Sequence, residues 1–223
     1  MVYRIYVEKK PGFDVEANGL KNELTGLLGI RSLTGLRLLN RRGCFPQFDK
    51  FIEQTKDVWT HLVDIRKSFE PRAEELAKKY ALAPYTMFIG SGALWGETIL
   101  FSMCILEEMQ WKRTRYITSA DFFHGTLELV EPGVPVFLFM GEDENRKLDE
   151  RVRAFLNRGV TGDTDINIID TAEFAIPGLD DEFRVIVSPW ILTVLVTDRL
   201  ARYYETVTKH NLKYRRYYHQ FDY

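Results

Sequence analysis

Cysteine is nearly absent: Cys44 and Cys104 are the only two in 223 residues. Two thiols exclude a disulfide framework, and neither has partners at metal-ligand spacing. Cys104 lies in an apolar stretch and is expected to be a packed core thiol. No run of about 18 uninterrupted apolar residues occurs, so no membrane span is expected. Residues 1–30 lack a basic start followed by an apolar core, the pattern of a secretion signal. Neither sign of charge dominates: 30 basic and 32 acidic residues leave a formal net charge of −2. That balance argues against a general nucleic-acid or acidic-surface partner, which needs a concentrated basic face. The one dense basic run, Lys209 to Arg216, sits near the C-terminus and reads first as a solvated tail. Few thiols, no leader and no span together suggest a cytoplasmic protein.

What is present is enough apolar material for a large core, 45% of residues. The chain reads in two parts, residues 1–42 and 43–223. In the first, Val2 to Val7 alternates as a half-buried strand, Asp14 caps a helix to about Leu28, and Leu36 to Leu39 suggests a second strand. A βαβ appendage of this size has too little core to stand alone. In the second part longer helices alternate with short apolar strands. Helices are expected over Phe48 to Phe69, Pro71 to Tyr80, Glu97 to Trp111, Asn145 to Asn157 and Pro189 to Thr208. Strands are expected at Tyr85 to Ile89, Tyr116 to Ile117, Pro135 to Met140 and Ile166 to Ile169. Such alternation predicts an α/β fold with a doubly wound, mainly parallel sheet.

Three features carry candidate chemistry. The turn Gly90-Ser91-Gly92 links a strand to a helix, where it is either a simple tight turn or a cradle for a small anion. It lacks the Lys of a nucleotide P-loop and the full dinucleotide spacing. Glu107 and Glu108 close an apolar helix, although a helix C-terminus disfavours anions. His124 follows a strand end, within Ser119-Ala120-Asp121-Phe122-Phe123-His124-Gly125. A Glu and a His can move protons near neutral pH, but each is more often a surface or hydrogen-bonding residue. His61 reads as a helix-surface residue, and His210 and His219 lie in the tail. No metal-site spacing and no Gly-x-Ser-x-Gly elbow occur.

Several motifs in order resemble the second sugar isomerase (SIS) domain of the fructosamine-6-phosphate deglycase family, from about Phe45 onward. They are Ile89-Gly-Ser-Gly-Ala, Leu106-Glu-Glu-Met-Gln-Trp111, Ser119 to Gly125, Leu127 to Pro135, Gly141 to Asn145 and Arg215-Arg-Tyr-Tyr. The resemblance implies a flavodoxin-like SIS fold and a base–acid pair sixteen residues apart, matched here by Glu108 and His124. It implies that Glu108 moves a proton between C1 and C2 of an open-chain phosphorylated ketosamine or amino sugar. His124, supplied across a dimer interface in relatives, assists ring opening or protonates the departing amine. Gly90, Ser91, Gly92, Ser119 and Asp121 are the implied substrate-binding positions. The implied activity is isomerase or hydrolase chemistry that releases an amine and glucose 6-phosphate, with no metal and no organic cofactor. Where the family commonly has Ser-Gly-Glu-Phe-x-His-Gly-Pro, this chain has Ala120, Asp121 and Thr126.

Full-length relatives carry two such domains, the first with a Ser/Thr-rich phosphate loop, Ser-x-Ser-Gly-x-Thr, that this chain lacks. A second reading therefore stands beside the first: a non-catalytic half that binds sugar phosphate or pairs with a separate SIS domain. Residues 1–42 instead resemble the start of phosphoribosylformylglycinamidine synthase, in Arg4 to Glu16 and Leu33 to Asn40. That match carries none of that enzyme's catalytic chemistry.

Overall fold

The computed structural model describes residues 30–159, 162 and 164–222. Contacts divide the chain into two units, Met1–Glu53 and Gln54–Tyr223. The strand expected at Val2 to Val7 and the helix expected to Leu28 lie outside the described residues. The strand expected at Leu36 to Leu39 is helical, within α1 (Ile30–Arg41). Its leucines and arginines are good helix formers.

Helices α2 (Phe48–Thr55) and α3 (Val58–Tyr80) follow. The break between them falls at Lys56-Asp57, not at Pro71, which sits inside α3. Four strands then alternate with helices: β1 (Thr86–Gly90), β2 (Thr114–Ile117), β3 (Val136–Met140) and β4 (Ile166–Asp170). They form one wholly parallel sheet in the order β2-β1-β3-β4. The two central strands are buried at every residue, as strands covered on both faces must be.

The alternation of side chains sorts the core into two layers. On one face Met87, Ile89, Val136, Leu138 and Met140 pack with Phe122 of α5 (Ser119–Phe122) and with Val152 and Leu156 of α6 (Arg146–Leu156). On the other, Phe88 stacks on Phe137 and Phe139 at 5.2 and 6.0 Å and meets Phe101 edge-on at 5.4 Å. Tyr80 of α3 closes edge-on against Phe137 at 5.7 Å. Burial of each of these rings contributes about 1.5–3 kcal/mol.

Two long helices carry π-helical stretches. In α4, an α-helical Trp95–Ile99 continues as π-helical Leu100–Met109. In α7, Asp181–Leu192 continues as π-helical Thr193–Leu200 and then α-helical Ala201–Thr208. The start of α7 at Asp181 corrects the expected start at Pro189. Proline cannot donate to the Val185 carbonyl four residues back, and the Ser188 hydroxyl donates to that carbonyl instead, at 3.3 Å. Among the described residues no helix is long and apolar enough to cross a membrane.

Candidate functional site

The connection after β1 goes to β2 on one side, and the chain then crosses back to β3 on the other. The topological switch point therefore lies between the C-terminal ends of β1 and β3, where open α/β sheets commonly bind ligands. There the turn Gly90-Ser91-Gly92 faces Gly141-Glu142-Asp143. Gly92 takes a positive φ of +54°, and a Cβ on it would collide with the Asp143 carboxylate. The Ala93 N–H donates to Asp143 Oδ2. The helix N-terminus that could cradle an external anion is thus closed by one of the chain's own carboxylates. Glu142, Asp143, Glu144, Asp181 and Glu182 line the adjoining cleft of about 650 Å³, which is strongly acidic.

Glu142 is largely taken up by a nearly buried ion pair. Both Nε and Nη2 of Arg184 reach its carboxylate, the latter at 2.8 Å, and Thr171 Oγ1 donates to it at 2.9 Å. Arg184 Nη2 also donates to the Thr171 and Phe174 carbonyls, each at 3.1 Å.

Ser91 and Ser119 are tied into a buried network. The Ser119 N–H donates to Ser91 Oγ at 2.7 Å, and Ser119 Oγ donates to Asp149 Oδ1 at 2.5 Å. Asp149 Oδ2 in turn accepts from the Gly141 N–H at 3.3 Å. The network staples the C-terminal ends of β1, β2 and β3 together. Burial pushes the Asp149 carboxyl up to about 6, against the opposing pull of its Ser119 and Gly141 donors. Gly90 approaches Thr98 so closely that a Cβ there would overlap its hydroxyl. Asp121 is exposed; its N–H donates to Thr118 Oγ1 at 3.0 Å, and its carboxylate accepts from the same hydroxyl at 2.7 Å. Of the five expected substrate-binding residues, Gly90, Ser91 and Ser119 are buried in these contacts, Gly92 packs on Asp143, and Asp121 bonds with Thr118, the cap of α5.

Glu108 lies at the other end of the sheet. Its neighbour Glu107 accepts from Thr114 Oγ1, the first residue of β2, at 2.5 Å. Glu108 is ion-paired with Arg215, Oε1 to Nε at 2.8 Å. The two line a cleft of about 390 Å³ with Trp111, Lys112, Arg216 and Tyr217 among its walls. Here the residues after α7 fold back over the end of α4. Gln110 Nε2 donates to the His210 carbonyl at 2.5 Å, Thr208 Oγ1 donates to Gln110 Oε1 at 2.7 Å, and Arg216 stacks over Trp111 at 4.3 Å. The run expected to be a solvated tail is mostly exposed, but Arg215 ties it to the candidate base. Trp111 itself has φ +54°, a left-handed conformation favouring glycine. Its N–H and that of Lys112 donate to the Glu107 and Leu106 carbonyls, closing the π-helix.

His124 is exposed and follows the C-terminal end of β2, beyond Ile117. Glu108 sits beside the N-terminal end of the same strand. The four residues of β2 span roughly 13 Å at about 3.3 Å each, so Glu108 and His124 flank opposite ends of the sheet. The structure does not bring them together within one chain. The expectations missed Arg215, Arg216, Lys112 and Trp111, whose proximity to Glu108 spans about a hundred residues of sequence. They also missed Glu97, a buried helix acid whose Oε2 has no hydrogen-bond partner. Burial pushes its carboxyl up to about 7, against the pull of a hydrogen bond from Thr193. Both cysteines are free thiols; Cys104 is half-buried, less enclosed than a core thiol. Among the described residues no three His, Cys, Asp or Glu side chains converge as a metal site.

The four-stranded parallel sheet wrapped by helices is the fold of a sugar isomerase (SIS) domain. A solved structure from Salmonella typhimurium, described as a phosphosugar isomerase, superposes with a TM-score of 0.76 at 26% identity, covering 84% of this chain and 57% of that one. Within that class the sequence is similar to fructosamine deglycase FrlB of Bacillus subtilis, 28% identical over 82% of this chain and 53% of the relative. It is likewise similar to fructoselysine 6-phosphate deglycase of Escherichia coli, 29% identical over 82% of this chain and 51% of that enzyme. The chain thus spans about half the length of the curated relatives it matches. No family model matches it.

Proposed function

We propose that this chain acts on a phosphorylated ketosamine or amino sugar, releasing an amine and leaving glucose 6-phosphate. The observation that carries this reading is the placement of Glu108 in a cleft with Arg215, within a chain similar to deglycases over 82% of its length. Glu108 is the base: as a carboxylate it takes the proton from one of the two carbons flanking the carbonyl shift and returns it to the other. Proton transfer by a positioned group contributes about 10² to 10⁴ in rate. His124 is the acid that assists ring opening or protonates the departing amine. Because the two flank opposite ends of the sheet, one site takes its Glu108 and its His124 from different chains, and the working unit is a homodimer. Water completes the hydrolysis, and two free thiols and a phosphorylated substrate support a cytoplasmic location.

A second reading is favoured by one specific observation: the chain lacks a Ser-x-Ser-Gly-x-Thr loop and covers half of its relatives. On that reading it binds sugar phosphate without turnover, or pairs with a separate SIS domain. A coupled assay for glucose 6-phosphate, fed with fructoselysine 6-phosphate and fructoseaspartate 6-phosphate, separates the two. Release that disappears in folded Glu108→Gln supports the enzyme; no release from folded wild type supports the binding module. Release unchanged in Glu108→Gln sinks the assigned base.

A further inference from the structure

A sugar-phosphate ligand carries an anion, and the obvious place for it in this fold is already filled. The Gly90-Ser91-Gly92 turn is closed by Asp143, and the cleft beside it is lined with carboxylates that repel a second anion. Cations without partners lie instead at the opposite end of the sheet. Lys112 is half-buried on the wall of the Glu108 cleft, and its ammonium has no hydrogen-bond or ion-pair partner among the described residues. The same desolvation lowers its ammonium from its usual value. The Arg216 guanidinium carbon lies over the Trp111 ring at 4.3 Å, and no hydrogen bond or ion pair takes up its N–H donors among the described residues. A guanidinium stacked this way is held in place with its donor fork unspent.

Two further observations show that the cleft is built rather than incidental. Arg215 neutralises Glu108 at 2.8 Å, and Glu107, the other carboxylate on the wall, is engaged by the Thr114 hydroxyl, so Lys112 and Arg216 leave the lining net positive. Trp111, which supports Arg216, is held with φ +54°, a conformation that costs a non-glycine residue about 1–3 kcal/mol and clusters at ligand sites.

We propose that Lys112 and Arg216, with Trp111 beneath and Tyr217 at the side, seat an anionic group of the ligand next to Glu108. This rests on the reading of the Glu108 cleft as the ligand site. The group is a phosphate or a carboxylate, since both match a guanidinium edge with an adjacent ammonium. The chain's own C-terminal segment then supplies part of its specificity.

Calorimetry on the full chain tests this with three probes: glucose 6-phosphate, the unphosphorylated fructosyl adduct of aspartate, and glucose. At least one charged probe should bind tenfold or more tighter than glucose, and which one does so identifies the group. Lys112→Ala/Arg216→Ala should remove that advantage, whereas Lys67→Ala, at a solvated site, should keep it. Arg216→Gln alone, a change at an exposed residue, should weaken the preferred probe about threefold or more and guards against a misfolded double variant. The idea is overturned if neither charged probe outbinds glucose, or if Arg216→Gln and the folded double variant bind as wild type does. A working deglycase whose KM is unmoved by Arg216→Gln would overturn this inference and leave the proposed reaction standing. Charge-dependent binding with no turnover would do the reverse.

Discussion

Arg215 Nε lies 2.8 Å from Glu108 Oε1, joining the C-terminal segment to the end of a helix more than a hundred residues earlier. Both side chains are partly exposed, so the pair itself contributes little to global stability, about 0.2–1 kcal/mol. Arg215→Ala should therefore lower the midpoint of urea unfolding only slightly. Its larger effect should be local: faster cleavage of the segment after Thr208 under limited proteolysis, together with reduced turnover. A segment equally protected in the variant would show that Gln110 and Trp111 alone hold it.

The buried Glu97 makes stability depend on pH. Its carboxyl is raised from an ordinary 4.5 to about 7, so the folded state binds the proton more tightly than the unfolded chain. Stability from this group is complete below about 4.5 and is lost as pH rises through about 7. The ceiling on the loss is about 3 kcal/mol. Urea unfolding across this range should show Glu97→Gln gaining on wild type as pH rises, because the amide cannot ionise. A difference that stays flat from pH 4 to 8 would refute the protonated Glu97. Asp149, raised to about 6 by burial, adds loss of the same sign at lower pH in both proteins.

Gly92→Ala should destabilise by about 1–3 kcal/mol, because φ is +54° and the new methyl meets the Asp143 carboxylate. In an Asp143→Ala background the same change should cost less, since the backbone strain and a contact with the flexible Asn145 amide are left. A double-variant cycle measured by thermal unfolding reads the difference.

Breaking the Glu142–Arg184 pair from one side leaves an uncompensated charge in a nearly buried setting. Arg184→Met or Glu142→Gln should each lower stability by about 3 kcal/mol, and the two together by less than their sum. Additive losses would mean that each side chain acts through its other partners.

If the site is shared between chains, Glu108→Gln and His124→Asn should complement each other. Either variant alone is inactive, but mixed chains form hybrid dimers in which one site carries both native residues. Random mixing should restore about a quarter of wild-type activity. No recovery from a mixture shown to exchange subunits would place both residues in one chain's site, against the separation across β2.

Much of the fold was legible. The apolar runs Tyr85–Ile89 and Pro135–Met140 announced strands buried on both faces, and the helices between them announced crossovers. The errors fell where proline or a short amphipathic stretch was read alone. Pro71 and Pro189 sit inside helices, and at Pro189 Ser188 satisfies the freed carbonyl. Leu36–Leu39 became part of a helix because leucine and arginine are good helix formers and four residues are too few to fix a period.

By itself, then, the sequence determined the class of fold and the strand–turn–helix setting of Gly90-Ser91-Gly92, because periodicity and turn chemistry are local; Glu108 and His124 stood out as a candidate pair only through the resemblance to a family. Only the tertiary structure decided that the glycine turn is filled by Asp143, that Ser91 and Ser119 serve a buried staple, and that Glu108 faces Arg215. Those pairings join residues from about 30 to more than 100 positions apart. They are set by strand order, crossover direction and the backtrack of the final segment over α4, none of which leaves a mark in the spacing of nearby residues.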